Sequence, residues 1–161
     1  MTETTIHCPA RLKKYWPNPL AEQWASAYSG IFDDDDRRLA QSQPHLHFVE
    51  WFAAIHLFQR DGVSSLVEKY GYSNHPAKMR RLESLLLPND RQFIASFRDQ
   101  FGVQPPDLLL YRTGARRCGF TEVKGPGDSV SAGQRASWPA ITERFGTSVE
   151  DINVVLSADP D

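Results

Sequence analysis

The chain has 161 residues, about 40% of them apolar, a formal net charge of −2 and two cysteines, Cys8 and Cys118, that form no CxxC pair. That length suits one compact core and argues against a second full domain, and the cysteine spacing excludes a zinc module or a disulfide framework. With no signal-peptide pattern and no run of ~18 apolar residues, the expectation is a soluble, cytoplasmic protein without a membrane span.

Residues 1–44 read as an N-terminal extension interrupted by Pro9, Pro17, Pro19 and Pro44, with Trp16, Trp24 and Tyr28 giving it something to bury. It is expected to pack on a domain formed by residues 45–161. Within it, Asp33-Asp34-Asp35-Asp36, followed by Arg37 and Arg38, reads as a solvated turn or helix start rather than a metal site. From His45 to about Arg60, the residues Phe48, Val49, Trp51, Phe52, Ile55, Leu57 and Phe58 predict a helix buried on nearly all sides. Glu50 interrupts that pattern, because its helical neighbours Ala53, Ala54 and Leu57 offer no cation. A carboxylate buried there is costly unless something positive lies nearby.

Three shorter helices are expected next. The first opens with Ser65-x-x-Glu68 as a capping box and closes near Gly71, and the second spans about Pro76 to Leu87. The third begins near Asn89 and carries Phe93, Phe97 and Phe101 at i, i+4, i+8 spacing, a core pattern, before Gly102 stops it. After Pro105-Pro106 the period changes. Asp107 to Arg112 reads as a buried strand, Thr113 to Arg116 as a hairpin turn, and Cys118 to Lys124 as a second strand that Gly125-Pro126-Gly127-Asp128 terminates. A helix is expected from near Ser131, where Ser131-x-x-Gln134 fits a capping box, to near Gly146, with Pro139 bending or splitting it. The last strand is Ile152 to Leu156.

The chemistry sits on the predicted hairpin. Strand alternation puts Glu122 and Lys124 on one face, and antiparallel pairing can bring Asp107 beside them. Two carboxylates and an ammonium then converge. Oxygen ligands of this kind suit magnesium, which keeps several waters and takes further contacts from substrate phosphate. The set points to phosphodiester hydrolysis, with no organic cofactor needed. The competing explanation for Glu122 and Lys124 is a surface ion pair.

The stretches PPDLLLYR and GFTEVKGPGDSVSAGQRASW, over residues 105–138, closely resemble the core of the VRR-NUC domain, a resemblance that weakens over 45–70. This is the nuclease domain of the Fanconi-anaemia-associated nuclease and of small stand-alone bacterial and phage enzymes. The resemblance implies an α/β chain with the PD-(D/E)XK restriction-endonuclease-like fold, a small mixed sheet flanked by helices, acting on DNA with Mg2+ or Mn2+. It assigns Asp107 and Glu122 to the metal-binding acids, Lys124 to the catalytic lysine and Gln134 to the glutamine on the following helix. By position, Glu50 corresponds to the acid on the first helix and so to a third metal ligand. Pro139 and the long segment from Gly71 to Gly102 depart from the family pattern. A capping box also accounts for Gln134.

The resemblance to small stand-alone relatives implies a structure-selective endonuclease cutting branched or junction DNA, and cutting two strands in concert implies a homodimer because one short chain carries one active site. Arg112, Arg116 and Arg117 are the candidate DNA-binding cations, and a second basic group comprises Lys78, Arg80, Arg81 and Arg91. Two alternatives stay open. One is a nuclease-fold binding or interaction protein without significant cleavage, in keeping with the acidic balance. The other is a restriction-type nuclease, which would need a base-reading element. Of the histidines, His47 draws notice for standing at i, i+3 to Glu50 on the first helix.

Overall fold

A computed structural model of the chain describes residues 2–114 and 118–158. Its elements in order are β1 (Thr2–Pro9), α1 (Ala10–Lys13), α2 (Leu20–Ala27), α3 (Asp34–Ser42), α4 (Phe48–Asp61), β2 (Ser64–Val67), α5 (Pro76–Leu85), α6 (Pro88–Ala95), α7 (Phe97–Phe101), β3 (Leu108–Tyr111), β4 (Gly119–Lys124), α8 (Ala132–Phe145) and β5 (Val149–Ser157). The architecture is mixed α/β. A five-stranded sheet in the order β1-β5-β4-β3-β2 lies between helices, with β1, β5 and β4 parallel and β4, β3 and β2 antiparallel. Among the described residues, no helix is long and apolar enough to cross a membrane.

Side-chain alternation divides the interior into two cores. On one face Leu108, Val123, Ile152 and Val154 meet Trp51, Ala53, Ala54 and Leu57 of α4, joined by Ile6 and Cys8 of β1. Trp16, Trp24 and Phe48 pack as one aromatic group on that side, and Phe32 stacks on Trp51 with ring centroids 3.9 Å apart. On the other face Leu66, Leu109, Phe120 and Val149 are covered by Leu82, Ile94 and Phe97, with Trp138 and Ile141 of α8. This is the three-layer solution open to a sheet that is apolar on both sides.

Several elements differ from the sequence expectation. Residues 2–9 form an edge strand parallel to β5, which the proline-interrupted pattern did not announce, since among its described side chains only Ile6 and Cys8 are buried. Ser65-x-x-Glu68 opens no helix. Ser64–Val67 pairs with Leu108–Tyr111 as β2, because Leu66 and Val67 are each needed in a different core, which a strand provides and a helix start does not. The phenylalanine helix breaks at Ser96 into α6 and α7, where the Ser96 hydroxyl donates to the Gln92 carbonyl at 2.8 Å. Phe97 is fully buried, as a core residue should be. The Asp33–Asp36 run does start a helix, with a capping box between Asp33 and Asp36, but of the four only Asp34 is exposed. Asp35 and Asp36 are buried, and the fully buried Lys78 of α5 contacts Asp36 and donates its backbone N–H to Asp35. Arg81 joins Asp33 at 3.0 Å and the Tyr111 hydroxyl at 2.8 Å. Two of the four cations in that basic cluster therefore serve the interior.

Candidate active site

The hairpin β3–β4 delivers the first acids. Leu108 pairs with Thr121, so Asp107, one residue before β3, reaches β4 and accepts the Val123 backbone N–H at Oδ2, 2.9 Å away. Glu122 is buried, with 3% of its surface exposed, and two donors meet at its Oε1: Lys124 Nζ at 3.0 Å and Gln134 Nε2 at 2.8 Å. Gln134 also closes the capping box of α8, its Oε1 accepting the Ser131 N–H at 2.9 Å while its own N–H donates to the Ser131 hydroxyl. It serves both the helix cap and the site.

Glu50 arrives from the first turn of α4. A Cβ added at Gly125 would lie 3.3 Å from a Val49 methyl, so glycine after β4 lets this helix end come close. One Glu50 oxygen, Oε2, is sealed from solvent without a hydrogen-bond partner among the described residues. Burial first, then the charge of Glu68 and those of Glu122 and Asp128, push its carboxyl up to about 8. Asp107 is held well above the usual carboxylate range by burial and by Glu122, Glu50 and Glu68, against the pull of the Val123 N–H. Lys124 goes the other way in charge. Burial disfavours its ammonium, but Glu122 and Asp107 outweigh that and raise its pKa, so it stays protonated at neutral pH.

The structure thus gathers Glu50, Asp107, Glu122, Lys124 and Gln134 at one end of the sheet. It does not bring Arg112 there. That residue sits five positions along the extended chain from Asp107, about 17 Å at roughly 3.3 Å per residue, and close to Gly62. Arg116 and Arg117 lie outside the described residues. On the site side, Arg98, Gln104, Lys124, Ser129, Ser131 and Gln134 line a polar groove of about 430 Å³. Sequence reasoning missed Glu68, taken for a capping residue. Together with Tyr70, Tyr72 and Asp107 it borders a cavity of about 80 Å³. Asp151 was missed too: parallel pairing sets this buried acid opposite Glu122, with one oxygen unpartnered.

Among the described residues, no three His, Cys, Asp or Glu side chains are already gathered into a metal-holding cluster. The donor set nonetheless fits a hard cation that keeps much of its water. Neighbouring carboxylates raise the pKa of Glu50 and of Asp107, and among the described residues the sealed Glu50 oxygen has no hydrogen-bond partner, a deficit that a divalent ion relieves. The chain matches no protein-family model and no curated protein.

Proposed function

We propose that this chain is a metal-dependent DNA endonuclease with the PD-(D/E)XK fold, of the kind that VRR-NUC domains represent. The observation that carries this reading is the clamping of Glu122 between Lys124 and Gln134 on the strand next to Asp107. A surface ion pair between Glu122 and Lys124 would need neither the burial of Glu122 nor a second donor from α8. Asp107, Glu122 and Glu50 are the residues to hold Mg2+ or Mn2+, which when bound supplies Lewis acidity toward a phosphoryl oxygen and a lowered pKa for water.

The remaining work belongs to the chain itself. Lys124, kept charged by Glu122, orients the attacking water and offsets the charge that develops on the phosphate. Gln134 fixes the Glu122 rotamer, so that the other carboxylate oxygen keeps a constant direction. The Val123 N–H does the same for Asp107. Arg98 and the Ser129 hydroxyl, just ahead of α8, suit phosphates flanking the scissile one. Branched DNA is the proposed substrate and a two-fold homodimer the proposed assembly, since concerted cutting of two strands needs two such sites.

The test is a cleavage panel of linear, flap and four-way-junction DNA with and without Mg2+. Cleavage of the branched substrates that EDTA abolishes is the expected result. Purified protein that leaves all of them intact in both Mg2+ and Mn2+ would refute the proposal.

A further inference from the structure

Among the described residues, three non-glycine positions have left-handed backbone: His47 at φ 75°, Glu68 at 50° and Lys69 at 49°. Such residues persist where the surroundings force them, and they concentrate at functional sites. Here two of the three are partners. His47, buried just ahead of α4, directs Nδ1 at the Glu68 carboxylate, 2.9 Å from each oxygen. The carboxylate can only accept, so Nδ1 carries the proton. The far side of the ring is fixed as well, with Nε2 2.5 Å from the side-chain amide of Gln43, whose NH2 end is the one able to donate to it. Lys69 completes the turn with its ammonium 5.2 Å from the Tyr72 ring.

The turn joins β2 to the acids. Glu68 donates its backbone N–H to the Asp107 carbonyl at 2.7 Å. Glu68 and Asp107 also border the same cavity of about 80 Å³. An acidic group alone would not mark a ligand, but Glu50, whose charge interacts with that of Glu68, has an oxygen sealed from solvent without a hydrogen-bond partner among the described residues.

We propose that His47 and Glu68 form a positioning pair for the divalent-cation site, His47 gripping the Glu68 carboxylate so that its charge strengthens the hold of Glu50 and Asp107 on the ion. The proposal rests on the metal-dependent reading above. It makes Glu68 a carboxylate that sets ion affinity, and it gives His47 a partner other than its helical neighbour Glu50. Outer partners of this type change metal affinity by roughly 10- to 100-fold when removed.

Mn2+ binding to the full chain, read from the loss of the free-ion electron paramagnetic resonance signal without DNA, tests it. The variants are Glu68→Gln, which keeps shape and an acceptor for His47, and His47→Asn, whose side chain tolerates left-handed backbone. Glu83→Gln on exposed α5 surface is the control, and Asp107→Asn tests the parent reading. Glu68→Gln and His47→Asn should each raise the Mn2+ dissociation constant at least about tenfold while near-ultraviolet circular dichroism stays native, with Glu83→Gln unchanged. Should His47→Asn not fold, Glu68→Gln decides alone. A folded Glu68→Gln that binds Mn2+ within twofold of wild type, while Asp107→Asn does not bind, overturns this inference and leaves the parent reading standing. Wild type that binds no Mn2+ overturns both.

Discussion

Gln134 reaches Glu122 across twelve residues of sequence with one end of its amide while the other end caps α8 on the Ser131 N–H. The helix start and the buried carboxylate are therefore fixed by the same side chain, and the two tasks can be separated by substitution. Gln134→Glu keeps an acceptor for the cap but removes the donor to Glu122 and sets a second negative charge against it. Activity should fall by roughly 10- to 100-fold, the range seen when a partner of a metal-ligating group is removed, with the melting temperature little changed. Ser131→Ala should do the reverse, costing about 1 kcal/mol, or roughly 2–4 °C in Tm, at near-normal turnover. Calorimetry beside single-turnover kinetics distinguishes them.

The double change Asp107→Asn with Glu122→Gln preserves shape and removes the charges proposed to hold the ion. Cleavage should vanish. In EDTA, DNA affinity measured by fluorescence anisotropy should equal or exceed that of wild type, because binding is dominated by cation–phosphate contacts and two carboxylates facing a phosphate repel it. Wild-type cleavage by this variant would show that the site lies elsewhere.

Glu50 gives a pH dependence of definite sign. Its pKa rises from 4.5 to about 8 on folding, so the metal-free native state holds a proton that the unfolded chain has lost between those values. This contribution to stability is fully present below pH 4.5 and is lost as pH rises through 8. Urea denaturation in EDTA should show wild type losing stability from pH 5 to pH 8. Glu50→Gln should flatten that slope and exceed wild type at pH 8 by on the order of 1–3 kcal/mol, while binding Mn2+ less tightly. Equal slopes in the two proteins would contradict the assignment.

Lys78 lies fully buried against Asp33 and Asp36. Lys78→Ala strands Asp36 in the interior and should cost roughly 3–5 kcal/mol, seen as an earlier urea midpoint at unchanged slope. Exposed Arg80, two residues on, should be neutral to replacement.

The groove beside the site predicts which cations meet DNA there. Arg98→Ala should weaken binding across sequences and reduce the logarithmic salt slope by up to about 0.9. Arg112→Ala, at the other end of the hairpin, should change both less. Salt titrations of the two variants give the comparison, and a larger effect at Arg112 would move the DNA path to the far end of the sheet.

Local rules sufficed where one residue's neighbours in sequence are also its neighbours in space. The capping box at Ser131 and Gln134, the stop at Gly102 and the alternation that sets Glu122 beside Lys124 all follow from helix or strand geometry over a few residues. The Glu50 anomaly was legible for the same reason, as an acid on a helix face without a cation. What the sequence could not supply were partners brought together by folding. Ser65-x-x-Glu68 satisfied the rule for a helix start, yet pairing with β3 and burial in both cores made it a strand and put Glu68 against His47, 21 residues away. Four consecutive aspartates resembled a solvated run, yet Asp35 and Asp36 are buried against Lys78, more than 40 residues on. The cost of burying a charge depends on what stands opposite, and only the tertiary structure decides that.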